Sequence, residues 1–217
     1  MIIDEQLARQ VVTKRQANSH KGTYGRVLLI GGFYPYGGAI IMSALACVKS
    51  GAGLVTVATE RDNITALHAH LPETMAFDCE DKELFEENLI KADVVLVGPG
   101  LSENSKASRV FKQVLEKVSE HQSLIIDGSA LNLLAKTMPL SFNTDHLVLT
   151  PHQKEWERLS GLAISEQTVD NTRKALENFH DVVFFDHQLH TTKKTRCHVV
   201  VMNAAGDSSF QLAHQSQ

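Results

Sequence analysis

The chain has 217 residues, 43% of them hydrophobic, and its 21 basic and 25 acidic residues leave a formal net charge of -4. That suffices for one domain spanning residues 1–217 with a sizeable core, and the lack of lysine or arginine blocks argues against nucleic acid or an anionic membrane surface as the main partner. Cys47, Cys79 and Cys197 are odd in number and far apart, which suggests neither a disulfide framework nor a zinc site. No metal site is expected, and no run approaches the roughly 20 apolar residues of a membrane span, so the expectation is a cytoplasmic protein acting on a small molecule.

In chain order, residues 4–16 read as a short helix with Asp4 as N-cap and Leu7, Val11 and Val12 on one side. Arg26 to Ile30 then reads as a buried strand, Gly31, Gly32, Gly37 and Gly38 as a glycine-rich turn, Ala39 to Lys49 as a helix and Leu54 to Ala58 as a second strand. This is a βαβ unit, which requires parallel strands, and ligands of such sheets collect beyond the carboxyl ends of the strands. Cys47 within it reads as a small core residue. Helices are predicted over 61–70, broken at Leu71-Pro72, and over 81–91, followed by a strand over 93–97 that ends in Gly98-Pro99-Gly100-Leu101.

A helix over 106–120 carries Val110, Phe111, Val114, Leu115 and Val118 at helix-face spacing and leads to a strand over 124–127 that ends in a carboxylate. A short helix over 130–135, a strand over 146–149, the turn Thr150-Pro151-His152, a helix starting at Glu155, a helix over 169–178 and a sixth strand over 182–185 complete the pattern. Strands that are continuous apolar runs alternating with helices indicate a sheet covered on both faces. The fold class is α/β, a three-layer α-β-α sandwich with a mostly parallel sheet.

Four strand ends, at 31–39, 98–101, 127–132 and 150–152, are expected on one rim. Glycines there permit close backbone approach, and the helix beginning near Gly38-Ala39 offers N–H groups and a positive dipole end to an anion, with phosphate the natural candidate. His152 is either a ligand contact or a helix cap, and Asp127 either holds a metal or ligand hydroxyl or caps the next turn. Lys21 and Lys49 read as solvated lysines, with phosphate pairing as the alternative. The Walker A spacing, the Gly-x-Gly-x-x-Gly fingerprint, the Gly-x-Ser-x-Gly elbow and the His-Glu-x-x-His helix are all missing from the sequence.

Taken together, Lys21-Gly22-x-Tyr24-Gly25, Gly31-Gly32, Gly38-Ala39, Ser50-Gly51-Ala52-Gly53-Leu54-Val55-Thr56, Gly98-Pro99-Gly100-Leu101, Asp127-Gly128-Ser129-Ala130-Leu131-Asn132 and Thr150-Pro151-His152 resemble the ATP/ADP-dependent NAD(P)H-hydrate dehydratases. These belong to the ribokinase-like, or carbohydrate-kinase-like, superfamily. The resemblance runs over residues 15–185. It implies a lyase of nicotinamide-nucleotide repair that removes water from the S form of hydrated NADH or NADPH at the expense of ADP or ATP, with Mg2+. It also implies that Ala39, Gly100 and His152 contact the hydrated dinucleotide, and that the protein is a homo-oligomer, a tetramer in the family.

After Phe185 the resemblance changes. The family continues through a lysine-containing nucleotide segment and an Asn-x-x-Gly-x-x-x-x-x-Gly-x-Gly-Asp stretch that carries the anion hole and the general base; neither is found over 186–217, and Ala205-Gly206-Asp207 only mimics its end. The chain thus reads as a family member truncated or altered from about residue 186, with an exposed sheet edge and self-association as the expected consequence. Two rival readings are a small-molecule kinase of the same superfamily and a non-catalytic dinucleotide-binding fragment.

Overall fold

A computed structural model describes residues 14–137, 142–144, 146–176, 179 and 182–184. The chain divides into two compact units, one over His20–His146 and one combining Met1–Ser19 with Leu147–Gln217. The first opens with a 3-10 turn, Lys21–Tyr24, followed by β1 (Arg26–Ile30), α1 (Gly37–Lys49), β2 (Leu54–Thr59), α2 (Arg61–His70), β3 (Met75–Asp78), α3 (Lys82–Lys91), β4 (Val94–Val97), α4 (Ser105–Lys117), β5 (Ser123–Ile126) and α5 (Ser129–Thr137).

The five strands of this unit are parallel and lie in the order β3-β2-β1-β4-β5. From β1 the chain therefore moves outward to β3, then crosses back to add β4 and β5 on the other side of β1. With right-handed crossovers, that reversal sends α1 and α2 to one face of the sheet and α3 and α4 to the other. On the first face Ile40 and Ala44 of α1 and Leu67 of α2 pack with Leu29, Val55 and Val57, with Cys47 against the same cluster. On the second, α3 packs on β1 and against α4, which in turn meets α5. The α/β three-layer architecture expected from the apolar strand runs is thus observed.

β3 is the one strand without a counterpart in the sequence reading. Met75-Ala76-Phe77-Asp78 is short, only Phe77 is fully buried, and the segment follows a Pro-containing break. Its strand state comes from pairing with β2, Thr56 opposite Met75 through Thr59 opposite Asp78. The helix predicted from Ala39 begins two residues earlier, with Tyr36 at the N-cap. The helix predicted over 106–120 spans Ser105–Lys117; Asn104 caps it by accepting the Ala107 N–H at 2.9 Å.

In the second unit, β6 (Leu147–Leu149) pairs in parallel with β7 (Val182–Phe184). Between them lie α6 (Gln153–Ser160), a 3-10 turn (Ile164–Glu166) and α7 (Val169–Ala175). Trp156 of α6 is buried, its ring 5.6 Å from that of Phe179. The helix predicted over residues 4–16 lies mainly outside the described residues, and Lys14 to Gln16 are not helical. Phe185 and the segment over 186–217, for which truncation or alteration is expected from the sequence, also lie outside them.

Candidate functional site

The strand order reverses at β1 and β4, and in open parallel sheets this is the point at which the loops beyond the strand ends part to form a crevice. The two loops here are Gly31 to Tyr36 and Gly98 to Leu101, and their backbones are joined. The Gly32 N–H donates to Pro99 O at 2.9 Å and the Phe33 N–H to Gly100 O at 2.7 Å. Three of the four expected strand ends, those of β1, β4 and β5, thus lie on adjacent parallel strands.

Ala39 and Gly100, taken separately from the sequence as dinucleotide contacts, are neighbours. A Cβ built on Gly100 would lie 3.2 Å from the Ala39 Cβ and 2.4 Å from Tyr36 O, and Gly100 has φ +64. A larger residue would displace the loop, and the backbone conformation already favours glycine. The expected open N–H groups at the start of α1 need one correction. Because the helix starts at Gly37, the Ala39 N–H falls inside its first turn and donates to Tyr36 O at 3.2 Å.

The β1–α1 loop is held from the neighbouring strand end as well. Thr59 at the end of β2 donates from Oγ1 to Gly32 O at 3.1 Å, and the Asn63 amide donates to Gly37 O at 3.2 Å and to Thr59 Oγ1 at 3.1 Å. Glu60 accepts the Tyr34 N–H on Oε2 at 2.7 Å, while its Oε1 receives Lys106 Nζ at 3.2 Å. Lys106 also lies 3.6 Å from Glu80 and 5.1 Å from the centre of the buried Phe33 ring. Burial alone would lower the pKa of this ammonium, but its interactions with Cys79, Glu60 and Glu80 outweigh it and hold the pKa above that of an ordinary lysine. Lys106 is therefore a fixed positive charge that fastens Glu60, and through Glu60 the loop.

None of these supports is singled out by the sequence. Their signal is positional: once β1 and β2 are taken as parallel neighbours, Thr59 and Glu60 must lie beside the loop that follows β1. Lys21 and Lys49 are both exposed. Asp127 donates its N–H to Val97 O at 3.0 Å and accepts the Ala130 N–H at 3.2 Å, so its backbone starts α5.

In the second unit, His152 is the N-cap of α6. Its Nδ1 accepts the N–H groups of Lys154 at 3.1 Å and Glu155 at 3.3 Å, and its own N–H donates to Glu155 Oε2 at 2.9 Å. This is a capping box with an imidazole in the place of the usual hydroxyl. Accepting on Nδ1 puts the ring proton on Nε2, and the side chain is 58% exposed.

The family model described as NAD(P)H-hydrate dehydratase matches residues 27–210. The chain is 59% identical over 192 residues to the ADP-dependent (S)-NAD(P)H-hydrate dehydratase of Streptococcus thermophilus, covering 88% of this chain and 69% of the relative. Among solved structures it is similar to a hypothetical protein of Streptococcus mutans, with TM-score 0.83 and 51% identity over 99% of this chain and 72% of that one. It is also similar to a ribokinase-like superfamily protein of Enterococcus faecalis, with TM-score 0.76 and 43% identity over 81% of this chain and 62% of that one. The chain thus spans between 62% and 72% of the length of these proteins. A match over most of the chain, together with a sheet that reverses between two glycine loops, shows that the chain belongs to the NAD(P)H-hydrate dehydratase family.

Proposed function

We propose that the protein dehydrates the S form of hydrated NADH or NADPH, driven by ADP or ATP. The observation that carries this reading is the close packing of Ala39 against Gly100 across the two loops of the switch point, which brings the two residues assigned to the dinucleotide together at one place on the rim. Ribokinase-like chemistry aligns a hydroxyl oxygen with a terminal phosphoryl group. In this reading the oxygen is that of the hydrated ring. Its bond to phosphorus forms as its own proton passes to solvent and the bridging P–O bond of ADP or ATP breaks, and the phosphorylated oxygen then leaves the ring as inorganic phosphate while a neighbouring ring proton is lost, restoring the double bond.

The chain's own contribution is binding and orientation. Ala39 and Gly100 are assigned dinucleotide contacts, while Glu60 and Lys106 hold the β1–α1 loop in place. His152 is assigned a further dinucleotide contact through its exposed ring. No group of three acidic, histidine or cysteine side chains among the described residues suits a metal. Mg2+ usually keeps several waters and uses few protein ligands beside substrate phosphates, so it would be carried by the nucleotide and would neutralise its charge.

Among the described residues no helix is long and apolar enough to cross a membrane, and we place the activity in the cytoplasm. Self-association to a homo-oligomer, a tetramer, belongs to the same reading; Met42 and Leu45, exposed on α1, suit a buried contact, and light scattering measures the state. The direct test incubates the protein with the S hydrate of NADH, ADP and Mg2+ while following NADH absorbance. ADP-dependent recovery is expected, and none at any protein concentration would reject the proposed activity.

A further inference from the structure

The loop that carries the switch point has a rigid backbone and two bare aromatic rings. Tyr34 is 84% exposed and Tyr36 57% exposed, the two most exposed aromatic side chains among the large hydrophobics described. Their backbones are fixed. The Tyr34 N–H is held by Glu60 at 2.7 Å, the Tyr36 N–H by Phe33 O at 2.6 Å, and Tyr36 O accepts the Ala39 N–H at 3.2 Å. Phe33, between β1 and these residues, is fully buried under Lys106. The loop thus anchors one aromatic side chain in the core and presents the next two to solvent.

Position gives those rings a use. Tyr36 lies against Gly100, whose built Cβ would come within 3.0 Å of the Tyr36 Cβ, so its ring leaves the chain at the edge of the Ala39–Gly100 contact. With the backbone already fixed by hydrogen bonds, only the two side-chain torsions of each tyrosine are left to order when a planar group stacks on the ring, a small cost for so large a contact face. The bases of nucleotides stack on such rings regardless of base identity.

Resting on the proposed function above, we infer that Tyr34 and Tyr36 form a stacking ledge for a planar base of the dinucleotide, and so position it beside Ala39 and Gly100. They are positioning residues: the contribution needs an aromatic face and not the phenolic hydroxyl.

The test measures calorimetric affinity for NADPH in the wild-type protein and in the variants Tyr34→Phe, Tyr36→Phe, Tyr34→Leu and Tyr36→Leu, each checked for an unchanged thermal midpoint. The phenylalanine variants should bind like wild type, and at least one leucine variant should bind roughly 5- to 100-fold more weakly. Repeating the titration with AMP and with reduced nicotinamide mononucleotide identifies the stacked half, since only that half should lose affinity in the leucine variant. Wild-type binding that both leucine variants retain in full overturns the ledge while leaving the proposed function standing. A wild-type protein that binds neither NADPH nor either half overturns both.

Discussion

The carbonyl oxygen of Lys21 lies so close to Gly53 that a Cβ placed there would come within 1.8 Å of it, and within 2.9 Å of Gly25 O. The same contact is stitched by hydrogen bonds from the Gly53 N–H to Tyr24 O and from the Leu54 N–H to Gly25 O, each 3.0 Å. The Lys21-Gly22-x-Tyr24-Gly25 and Gly51-Ala52-Gly53-Leu54 motifs are thus two halves of one backbone joint leading into β1 and β2. Their spacing is explained here by packing.

It follows that Gly53→Ala forces backbone apart, which no rotamer can relieve. A loss of about 1 to 3 kcal/mol is expected, a fall of several degrees in thermal midpoint for a chain of this size. Gly38→Ala provides the opposite case. No atom lies within 4 Å of a Cβ built at Gly38, which sits in the first turn of α1. Removing a helical glycine there should raise stability by about 0.5 to 1 kcal/mol. Thermal melts of the two variants should therefore move in opposite directions, and a shared direction would refute the packing account of Gly53.

The sequence exposed some of these relationships and hid others for physical reasons. β1, α1 and β2 were legible because their apolar residues run continuously and their breaks are glycines. The fourth residue of β3 is an aspartate, and it lies at the sheet edge, so little in Met75-Ala76-Phe77-Asp78 marks a strand until β2 is placed beside it. The Glu60–Lys106 pair was equally hidden, since Glu60 follows β2 and Lys106 lies in the first turn of α4, and the two meet only once the order β2-β1-β4 is known. The adjacency of Ala39 and Gly100 rests on the same order. His152 was different, because a cap and its partner three residues on are a local pattern, and the helix cap that the sequence offers as one of its two readings is observed.

Lys106→Met should loosen the loop without removing any group that touches the ligand in the proposed reading. The substitution leaves Glu60, which also holds the Tyr34 N–H, with an unpaired half-buried carboxylate. A stability loss of about 1 kcal/mol is expected, the range of partly screened ion pairs. Glu60→Gln in the Lys106→Met background should recover part of it, because the amide oxygen still accepts the Tyr34 N–H without a buried charge. Absence of recovery would show that Lys106 acts through its contact with Phe33 instead.

Cys79 makes alkaline stability measurable at one residue. Burial pushes its thiol up to about 11 from an ordinary 9.0, against the opposing pull of Lys106. A group whose folded pKa is raised contributes stability that is complete below the unfolded value and is lost as pH rises through the folded one. Between about pH 9 and 11 the unfolded chain releases this proton while the folded chain keeps it, so stability should fall, by on the order of 2 kcal/mol in all. Urea midpoints at pH 8 and 10.5 should therefore drop more in the wild type than in Cys79→Ala, whatever the variant costs at neutral pH. Equal slopes would mean that the thiol ionises as freely in the folded protein as in the unfolded chain.

His152 carries two separable roles, and one pair of variants divides them. As a cap it supplies an acceptor to the N–H groups of Lys154 and Glu155; as a dinucleotide contact it supplies its exposed ring and the Nε2 proton. Asparagine is among the strongest caps and has no ring, whereas alanine has neither acceptor nor ring, so His152→Ala should cost about 1 kcal/mol of stability and His152→Asn little or none. If the ring also binds the dinucleotide, both variants should lose affinity for NADPH to the same degree despite their different stabilities. If His152→Asn keeps both stability and affinity, the histidine is a cap alone, and the proposed dinucleotide contact must be withdrawn.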